Sequence, residues 1–344
     1  MKRALLLSCW VLSACQSEAP GSPDDPSLDT PTAGERSAPA AVAAFKRCTA
    51  GFSPARPAGW RHFGSRLVSA LGSTVHSAND VIVQPGATAA LSARFAYGGI
   101  IDKELEDEWV WVFVDDCSGV WRYVGYATTD DEGRVTFNLA GGLPAGEYDV
   151  RMEVVGDGTW VPLRLWVLPA GTHVSVFDVD GTLTTSDAQE IEEILFGHTP
   201  AAYPSAQALT SAERGRGEIV VYLTGRPEIL AGSTRSWLAG QGFADGAVHM
   251  ASTASDVLPT NSGVGDYKVR YLGSLKAGGL GLDDAFGNAT TDVYAYARAG
   301  ISVARTWIIG PNAGSGGTHG VTGTWAAVAA QIAAEAPVPQ PLAF

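Results

Sequence analysis

The chain has 344 residues, 46% of them hydrophobic, which is enough sequence to bury the cores of two ordinary globular domains. Its net charge of −13 and its pI near 4.8 exclude a protein that binds nucleic acid through a basic face. Beyond the N-terminus no uninterrupted apolar stretch reaches about 18 residues, which excludes a membrane-spanning helix there.

The N-terminus has the pattern of an export signal. Residues 1–14 hold two basic residues and an apolar run that is too short to cross a bilayer. The run leads through Leu-Ser-Ala into Cys15, which resembles the lipobox of bacterial lipoproteins, whose cysteine carries lipid. We therefore expect a bacterial cell-envelope protein with a lipid anchor on Cys15. Because Gln16 follows the cysteine in place of Asp, we expect the outer membrane. An ordinary signal peptide with an incidental cysteine is the alternative.

The segment after the signal is not typical of a folded domain. Residues 15–41 are rich in Pro, Ser, Asp and Ala, so they are predicted to form a flexible tether. Cys48 and Cys117 are the two cysteines that remain. An even remainder in an exported chain predicts one disulfide between them, and two buried free thiols are the alternative.

Residues 42–170 are predicted to form an all-β domain. A short helix is expected near residues 67–71, before the strands. The predicted strands lie near residues 81–83, 90–97, 109–114, 124–126, 134–137, 148–154 and 163–168. Short strands with a turn signal after each favour an Ig-like or transthyretin-like sandwich. No catalytic constellation is evident in it. The acidic run 102–108 is interpreted as a solvated loop, with a Ca²⁺ site as the alternative.

Residues 171–336 have a different pattern, in which buried-type strands alternate with helical stretches; residues 337–344 are interpreted as a C-terminal tail. Strands are predicted at residues 173–177, 219–223, 247–251, 285–287 and 301–309, and helices at residues 227–241, 267–276, 291–299 and 324–334. This alternation predicts a Rossmann-like, doubly wound parallel sheet. A ligand site in such a sheet lies at the carboxyl ends of the strands.

Two carboxylates stand at such an end. Asp178 and Asp180 directly follow the predicted strand 173–177, and like charges that close need a cation or a shared proton. Mg²⁺ suits them, because it prefers oxygen ligands and accepts a substrate phosphate as a further ligand. One carboxylate can then attack phosphorus, while the other protonates the leaving oxygen and later activates water.

The string that contains Asp178 and Asp180 resembles motif I of the haloacid dehalogenase superfamily of phosphohydrolases, and three further motifs follow in order. Thr224 and Gly225 resemble motif II, Lys268 resembles motif III, and a segment beginning at residue 285 resembles motif IV. The resemblance implies that Asp178 is the nucleophile and a metal ligand. It also implies that Asp180 is the acid/base and contacts the metal through its backbone carbonyl. Thr224, Gly225 and Lys268 would bind the phosphoryl group.

The motif IV segment is similar to that of the lipins, which are Mg²⁺-dependent phosphatidate phosphatases, and phosphatidylinositol-transfer proteins of the Nir type carry a related domain. It implies that Asn288 and Asp292 complete the metal site. The likeness covers residues 173–310. The chain departs from the lipins by having Thr-Gly-Arg at residues 224–226 where they have Ser-Ala-Arg, which leaves lipid specificity open.

Several assignments have alternatives. Thr224 could serve only as a helix cap, and Lys276 competes with Lys268. Asp283 or Asp284 could join the metal site, and Arg226 could meet either an anionic substrate or an acidic side chain. The equal gaps between motifs I and II and between II and III are filled by predicted helices, strands and loops. We therefore expect a capless fold.

The predicted function is that of a Mg²⁺-dependent phosphatase. It would hydrolyse phosphate monoesters through an aspartyl-phosphate, with phosphatidate or another lipid phosphate among the candidate substrates. A phosphatase for soluble organic phosphates and a catalytically silent surface-binding module are the alternatives. Partners would then be a phosphorylated small molecule or phospholipid and the membrane, without nucleic acid.

Overall fold

A computed structural model of the protein describes residues 51–98, 103–115, 117–185 and 200–339. The predicted signal, the tether, Cys15 and most of the C-terminal tail lie outside these ranges. Cys117 is the one cysteine inside them, so the predicted pairing with Cys48 also falls outside the described part of the chain. In the described ranges no helix is both long and apolar enough to cross a membrane.

The first half is a β-sandwich that follows one helix, α1 (Phe63–Leu71). Its strands are β1 (Ser73–Thr74), β2 (Ser77–Ala78), β3 (Val81–Val83), β4 (Ala89–Arg94), β5 (Ala96–Gly98), β6 (Lys103–Glu104), β7 (Trp109–Asp115), β8 (Trp121–Thr128), β9 (Arg134–Leu139), β10 (Gly146–Val154) and β11 (Trp160–Val167). A five-stranded sheet of order β3-β11-β10-β7-β8 faces a three-stranded sheet of order β2-β4-β9, and β1-β5-β6 form a small third sheet. β6 begins inside the predicted acidic loop.

The apolar run of β7 is explained by burial on both of its faces. Val110, Val112 and Val114 point into the core between the two sheets. Trp111 and Phe113 point the other way, into a second cluster with Trp121 and the segment before α1. A strand covered on both sides has no polar face, so its sequence does not alternate.

The second half is a six-stranded sheet with helices on both faces, so the chain is a β-sandwich followed by a mixed α/β domain. Its strands are β12 (His173–Phe177), β13 (Ile219–Pro227), β14 (Gly246–Ala251), β15 (Gly281–Gly287), β16 (Thr306–Ile309) and β17 (His319–Val321), and its helices are α2 (Ala206–Gly215), α3 (Ala231–Gly240), α4 (Asp266–Ala277), α5 (Thr290–Ala299) and α6 (Ala326–Ala334). The order is β14-β13-β12-β15-β16-β17, and every pairing is parallel.

Neighbouring residues of the central strands pack on opposite faces of this sheet. Phe177 and Tyr222 lie in one core with Trp325 of the C-terminal region. Val176 and Val221 lie in the other core, under α4 and α5. Two apolar faces require the near-continuous hydrophobic runs from which the parallel sheet was predicted.

Several elements of the second half differ from the prediction. β13 continues through the Thr-Gly-Arg segment to Pro227, which still pairs with β14, so the next helix begins only after a 3₁₀ turn at Glu228–Leu230. β16 begins late because residues 303–305 form another 3₁₀ turn. α2 was not predicted because its buried face includes Thr210 and Glu213, which hide the apolar period. β17 was not predicted because only Val321 of its three residues is apolar.

The sandwich contacts the edge strand β14 through hydrogen bonds that resemble those between neighbouring strands of a sheet. Asp80 donates its N–H to the carbonyl of Val248 (3.1 Å) and accepts the N–H of Val248 on its carboxylate (2.8 Å). The side-chain amide of Asn79 accepts from the N–H of Met250 (2.8 Å) and donates to its carbonyl (3.0 Å). Residues 79 and 80 therefore take the place of a seventh strand on this edge.

Candidate active site at the carboxyl edge of the parallel sheet

The residues predicted to carry the chemistry line one cavity of about 300 Å³ at the carboxyl edge of the parallel sheet. Asp178 and Asp180 follow β12, Thr224 and Gly225 lie near the end of β13, and Lys268 lies on α4. Asn288 and Asp292 come from the turn after β15 and from the first turn of α5. The structure therefore brings together every residue assigned to the four sequence motifs. The further lining residues are Arg226, Val257, Pro259, Val264, Ala289, Thr291, Pro311 and Asn312.

Asp178 lies at the bottom of this cavity and is 5% exposed. Its Oδ1 accepts a hydrogen bond from Lys268 Nζ (2.6 Å), and its Oδ2 accepts one from Thr182 Oγ1 (3.1 Å). Burial raises the pKa of the Asp178 carboxyl, and the Lys268 ammonium opposes that rise. The carboxylate is thus oriented by two donors and points toward the cavity it lines.

Lys268 joins two carboxylates in the buried floor of the site. Its Nζ lies 2.6 Å from Asp178 Oδ1 and 2.6 Å from Asp292 Oδ1. Burial alone would lower the pKa of Lys268, but these two carboxylates raise it above its usual value. The lysine therefore stays charged, as the neutralisation of a phosphoryl group requires.

Asp292 also organises the turn that follows β15. Its Oδ2 accepts the backbone N–H groups of Asn288 and Ala289, each at 3.0 Å. A carboxylate at this position caps the first turn of α5. Gly287 permits this arrangement, because a Cβ there would lie 2.6 Å from the Cβ of Asp292.

Asp180 is held by the motif II segment. The guanidinium of Arg226 donates to both Asp180 oxygens, with Nε at 2.9 Å and Nη2 at 2.6 Å. Thr224 Oγ1 donates to Asp180 Oδ2 (3.3 Å), and Thr234 accepts from Arg226 Nη1 (3.0 Å). The question left open for Arg226 is answered here: it pairs with an acidic side chain, and it is 1% exposed.

The oxygen atoms near Asp178 suit a hard divalent cation. Thr182 Oγ1 lies 3.1 Å from Asp178 Oδ2 and 3.3 Å from Asn288 Oδ1, so the two oxygens converge on the same hydroxyl. Asn312 Nδ2 donates to the carbonyl of Asn288 (2.8 Å) and fixes that turn. Carboxylate, amide and backbone oxygens are the ligands that Mg²⁺ prefers, so the donor set fits this ion.

The alternative metal ligands and the alternative lysine lie elsewhere. Asp283 pairs with His173 Nδ1 (2.6 Å), at the opposite end of the strands. Asp284 forms ion pairs with Arg216 (3.2 Å) and Arg305 at that same end. Lys276 donates to the carbonyl of Ala299 (3.1 Å) at the far end of α4. None of these side chains is among the residues that line the cavity.

Two contributors were missed in the sequence. Thr182 lies within the motif I string, but no role was assigned to it. Asn312 begins a glycine-rich stretch, and no role was assigned to it either. Position in the string could have revealed Thr182, because a hydroxyl four residues after Asp178 can reach back to it in a tight turn. No local signal identifies Asn312, since its contact with Asn288 is created by the tertiary fold.

Two protein-family models match the chain. The model described as "PITM 1-3, beta-sandwich domain" matches residues 74–167, and "PITM 1-3, LNS2 domain" matches residues 175–310. Protein retinal degeneration B of Drosophila melanogaster is 32% identical over 68% of this chain and 18% of its own length. Membrane-associated phosphatidylinositol transfer protein 1 of Rattus norvegicus is 30% identical over 75% of this chain and 20% of its own length. Membrane-associated phosphatidylinositol transfer protein 3 of Homo sapiens is 29% identical over 68% of this chain and 23% of its own length. The chain thus spans about a fifth of the length of these relatives.

These matches correct part of the sequence interpretation. The matched models are the two PITM domains, so the assignment to a lipin-type haloacid dehalogenase domain on a bacterial lipoprotein was wrong. The relatives are animal proteins, two of the three named as membrane-associated. They do not support the expected bacterial outer-membrane lipoprotein with its signal and disulfide, and Cys15 lies outside the described residues.

Proposed function

We propose that this chain is a Mg²⁺-dependent phosphatase that hydrolyses the phosphate monoester of a phospholipid through an aspartyl-phosphate on Asp178. The observation that carries the proposal is the buried Asp178 carboxylate, which lies between an ammonium group and a hydroxyl on the floor of a cavity. A carboxylate oriented in this way can act as a nucleophile. A capless parallel sheet, with the cavity at its carboxyl edge, is part of this proposal.

The first step forms a bond between a carboxylate oxygen of Asp178 and phosphorus, and it breaks the bond between phosphorus and the ester oxygen. Lys268 and Thr224, with the N–H of Gly225, would bind the phosphoryl oxygens, since all three residues line the cavity. Charged and neutral donors fixed before the reaction stabilise the charge that develops in such a transition state.

Asp180 would transfer the proton in both steps. It lines the same cavity, with its side chain 13% exposed. In the first step it donates a proton to the leaving alkoxide, and in the second its carboxylate takes a proton from the attacking water. That water forms a bond to phosphorus, the bond to Asp178 breaks, and inorganic phosphate leaves. Arg226 holds the side chain of Asp180 in one orientation in both steps.

Asp178, Asn288 and the backbone carbonyl of Asp180 would hold the Mg²⁺, which supplies positive charge to the phosphoryl oxygens when bound. The convergence of Asp178 and Asn288 on Thr182 supports this set. Asp292 is assigned the orientation of Lys268, with which it forms an ion pair. Its predicted part in metal binding stays a prediction.

A phospholipid is the proposed substrate for two reasons. The matched relatives are named as membrane-associated phosphatidylinositol transfer proteins, which supports a lipid-related function and a phospholipid partner. In addition, the apolar residues Val257, Pro259 and Val264 form one wall of the cavity. That wall can accept the glycerol backbone of a lipid beside the phosphate.

Binding of a phosphate lipid without hydrolysis is a second candidate function. The relatives' names describe transfer of a lipid and not its cleavage, which favours this candidate. Both candidates use Lys268 and Thr224 to bind phosphate. They differ in whether phosphate is released, so turnover decides between them.

The test is a hydrolysis panel with the purified full-length chain. Release of inorganic phosphate is measured from phosphatidate in mixed micelles, from glycerol 3-phosphate and from p-nitrophenyl phosphate, each with Mg²⁺ and with a chelator. We expect Mg²⁺-dependent release, fastest from phosphatidate, and no release by Asp178→Asn. Asp283→Asn, which removes a carboxylate distant from the cavity, is the matched control and should keep its activity.

The outcomes separate the candidates. Release from the soluble esters alone would favour a phosphatase for soluble organic phosphates. No release from any ester, together with binding of phosphatidate, would favour the binding module. Full activity of Asp178→Asn, or of the metal-free protein, would contradict the proposed mechanism.

A further inference from the structure

We propose that α1 and the loop at the mouth of the cavity form a membrane-binding surface that docks on an anionic lipid bilayer. The surface consists of Phe63, Leu67 and Leu71 on α1 and Leu258 in the loop that follows β14. Docking itself does not depend on turnover. Delivery of a lipid phosphate to the cavity rests on the proposed function.

The apolar face of α1 has no partner among the residues that the structure describes. Phe63 is 79% exposed, Leu67 52% and Leu71 77%. These side chains are spaced four residues apart, so they form one stripe along the helix. A row of large apolar side chains exposed to water indicates a surface that binds a partner or a membrane.

Residues 51–79 are basic in sequence, and the acidic side chains beside the start of α1 come from another segment. The protein carries 36 acidic and 23 basic residues, yet residues 51–79 contain three arginines and no Asp or Glu. Arg66 is exposed on α1 and forms no ion pair with any other residue in the described ranges. Asp107 pairs with Arg61 (2.7 Å) and with His62, and Glu108 accepts the backbone N–H groups of the same two residues. Apolar side chains flanked by an unpaired cation match the headgroup region of an anionic bilayer.

The contacts between the two halves place α1 at the active-site edge. Gln84 contacts the carbonyl of Gly278, near the amino ends of the strands. Asp80 pairs with Val248 in the middle of β14, and Asn79 also contacts Ser252, just beyond the end of β14 (3.0 Å). From residue 84 back to residue 79, the sandwich therefore contacts positions that lie progressively closer to the carboxyl edge of the parallel sheet.

The segment before residue 79 continues in the same direction. β1 pairs with β5 and β2 pairs with β4, and the register is the same in both pairs. Residues 73–78 therefore continue along one line beside residues 93–98. α1 ends immediately before residues 73–78. The residue before α1 also lies at the end of the sandwich nearest the carboxyl edge, because His62 contacts Asp107 there. Arg134, at that same end of the sandwich, donates to the carbonyl of Ser252 (2.5 Å).

Leu258 lies at the mouth of the cavity. It is 54% exposed, while its neighbours Val257 and Pro259 line the cavity wall. A bilayer that receives α1 and Leu258 would therefore face the cavity mouth. Four of the eight exposed large hydrophobic side chains in the described residues belong to this surface.

The test is vesicle co-sedimentation of the purified full-length chain. We use phosphatidylcholine vesicles with and without about 20% phosphatidylserine, without phosphatidate and without Mg²⁺, so that catalysis plays no part. The variant Phe63→Ser/Leu67→Ser/Leu71→Ser removes the apolar stripe without touching the core. Val120→Ser/Val303→Ser is the matched control, because both valines are 46% exposed on other surfaces.

We expect the stripe variant to partition onto anionic vesicles at least about tenfold more weakly than the wild type, and the control to match the wild type. Arg66→Glu should weaken binding to the anionic vesicles only. Leu258→Ser should weaken both vesicle types. Circular dichroism and hydrolysis of p-nitrophenyl phosphate should be unchanged in the stripe variant, which separates docking from folding and from chemistry.

Equal binding of the stripe variant and the wild type would overturn the proposal. The same holds if the full-length chain fails to bind anionic vesicles, or if the stripe variant changes the oligomeric state of the protein instead, since α1 would then be covered by a second copy. Loss of hydrolysis in an Asp178→Asn protein that still binds vesicles would leave docking intact. Failure of the proposed enzyme activity is therefore distinguishable from failure of the membrane surface.

Discussion

The guanidinium of Arg226 donates to both carboxylate oxygens of Asp180, at 2.9 Å and 2.6 Å, and is itself held by Thr234. This pair joins the turn after β12 to the end of β13. A planar fork of donors fixes a carboxylate in rotation as well as in position. The proposed acid/base group of the site is thus oriented by a residue that only the fold brings next to it.

Replacement of this fork by a single ammonium tests its role. Arg226→Lys keeps the charge but loses the paired hydrogen bonds, so we expect kcat to fall by about ten- to a hundredfold. KM should change little if Arg226 positions Asp180 and does not bind substrate. Arg270→Lys is the control, because Arg270 is exposed and pairs with Asp256 outside the cavity. A large rise in KM at constant kcat would contradict the positioning role.

The ion pairs of Lys268 predict that substitutions of Lys268 and Asp178 have coupled effects on the free energy of unfolding. Lys268→Met leaves the buried carboxylates of Asp178 and Asp292 without their cation, so we expect unfolding free energy to fall by about 3–5 kcal/mol and turnover to stop. Asp178→Asn added to Lys268→Met should then recover part of the stability, since one buried charge is removed. Urea unfolding of the wild type, of each single variant and of the double variant measures this difference. Purely additive losses would show that the pair is not coupled.

The close approach at Gly287 predicts a defect in the site. A Cβ at this position would lie 2.6 Å from the Cβ of Asp292, so Gly287→Ala should displace Asp292 from Lys268. We expect a loss of about 1–3 kcal/mol in unfolding free energy and a large loss of activity. Gly232→Ala is the matched control on α3, where nothing lies within 4 Å of the added atom. It should leave activity unchanged and increase stability by about 0.5–1 kcal/mol.

His76 predicts a dependence of stability on pH. Burial lowers its pKa to about 4, against 6.5 for an exposed histidine. The unfolded chain therefore binds a proton between these values while the folded chain does not, and stability must fall as the pH falls from about 6.5 to about 4. The shift amounts to roughly 3 kcal/mol.

The measurement is urea unfolding at pH 7 and at pH 4.5. His76→Asn removes the titrating group, so the variant should lose less stability than the wild type over this interval. The variant itself costs stability at pH 7, because His76 Nδ1 accepts the N–H of Ala96 (3.3 Å) and its ring packs on Phe95. The same pH dependence in both proteins would contradict the assignment.

The parallel sheet and the motif residues at its carboxyl edge were predictable because each has a local signature. Val176 and Val221 belong to apolar runs, and Asp178 directly follows one of these runs. The position of Arg226 was not predictable, since its partner Asp180 lies in the turn after a different strand. Neither was the extension of β13, because Pro227 is normally a sign that a strand has ended or a helix begins. Pairing with β14 overrides that preference.

The contacts of Asn79 and Asp80 with β14 have a consequence for how the protein can be divided. β14 is the outer strand of the parallel sheet, and these two residues satisfy the N–H and C=O groups of Val248 and Met250. If the chain were cut near residue 170, the second half would present a bare strand edge to water. Such an edge pairs with other chains, so the isolated α/β half should self-associate, while the intact chain carries its own protection against aggregation.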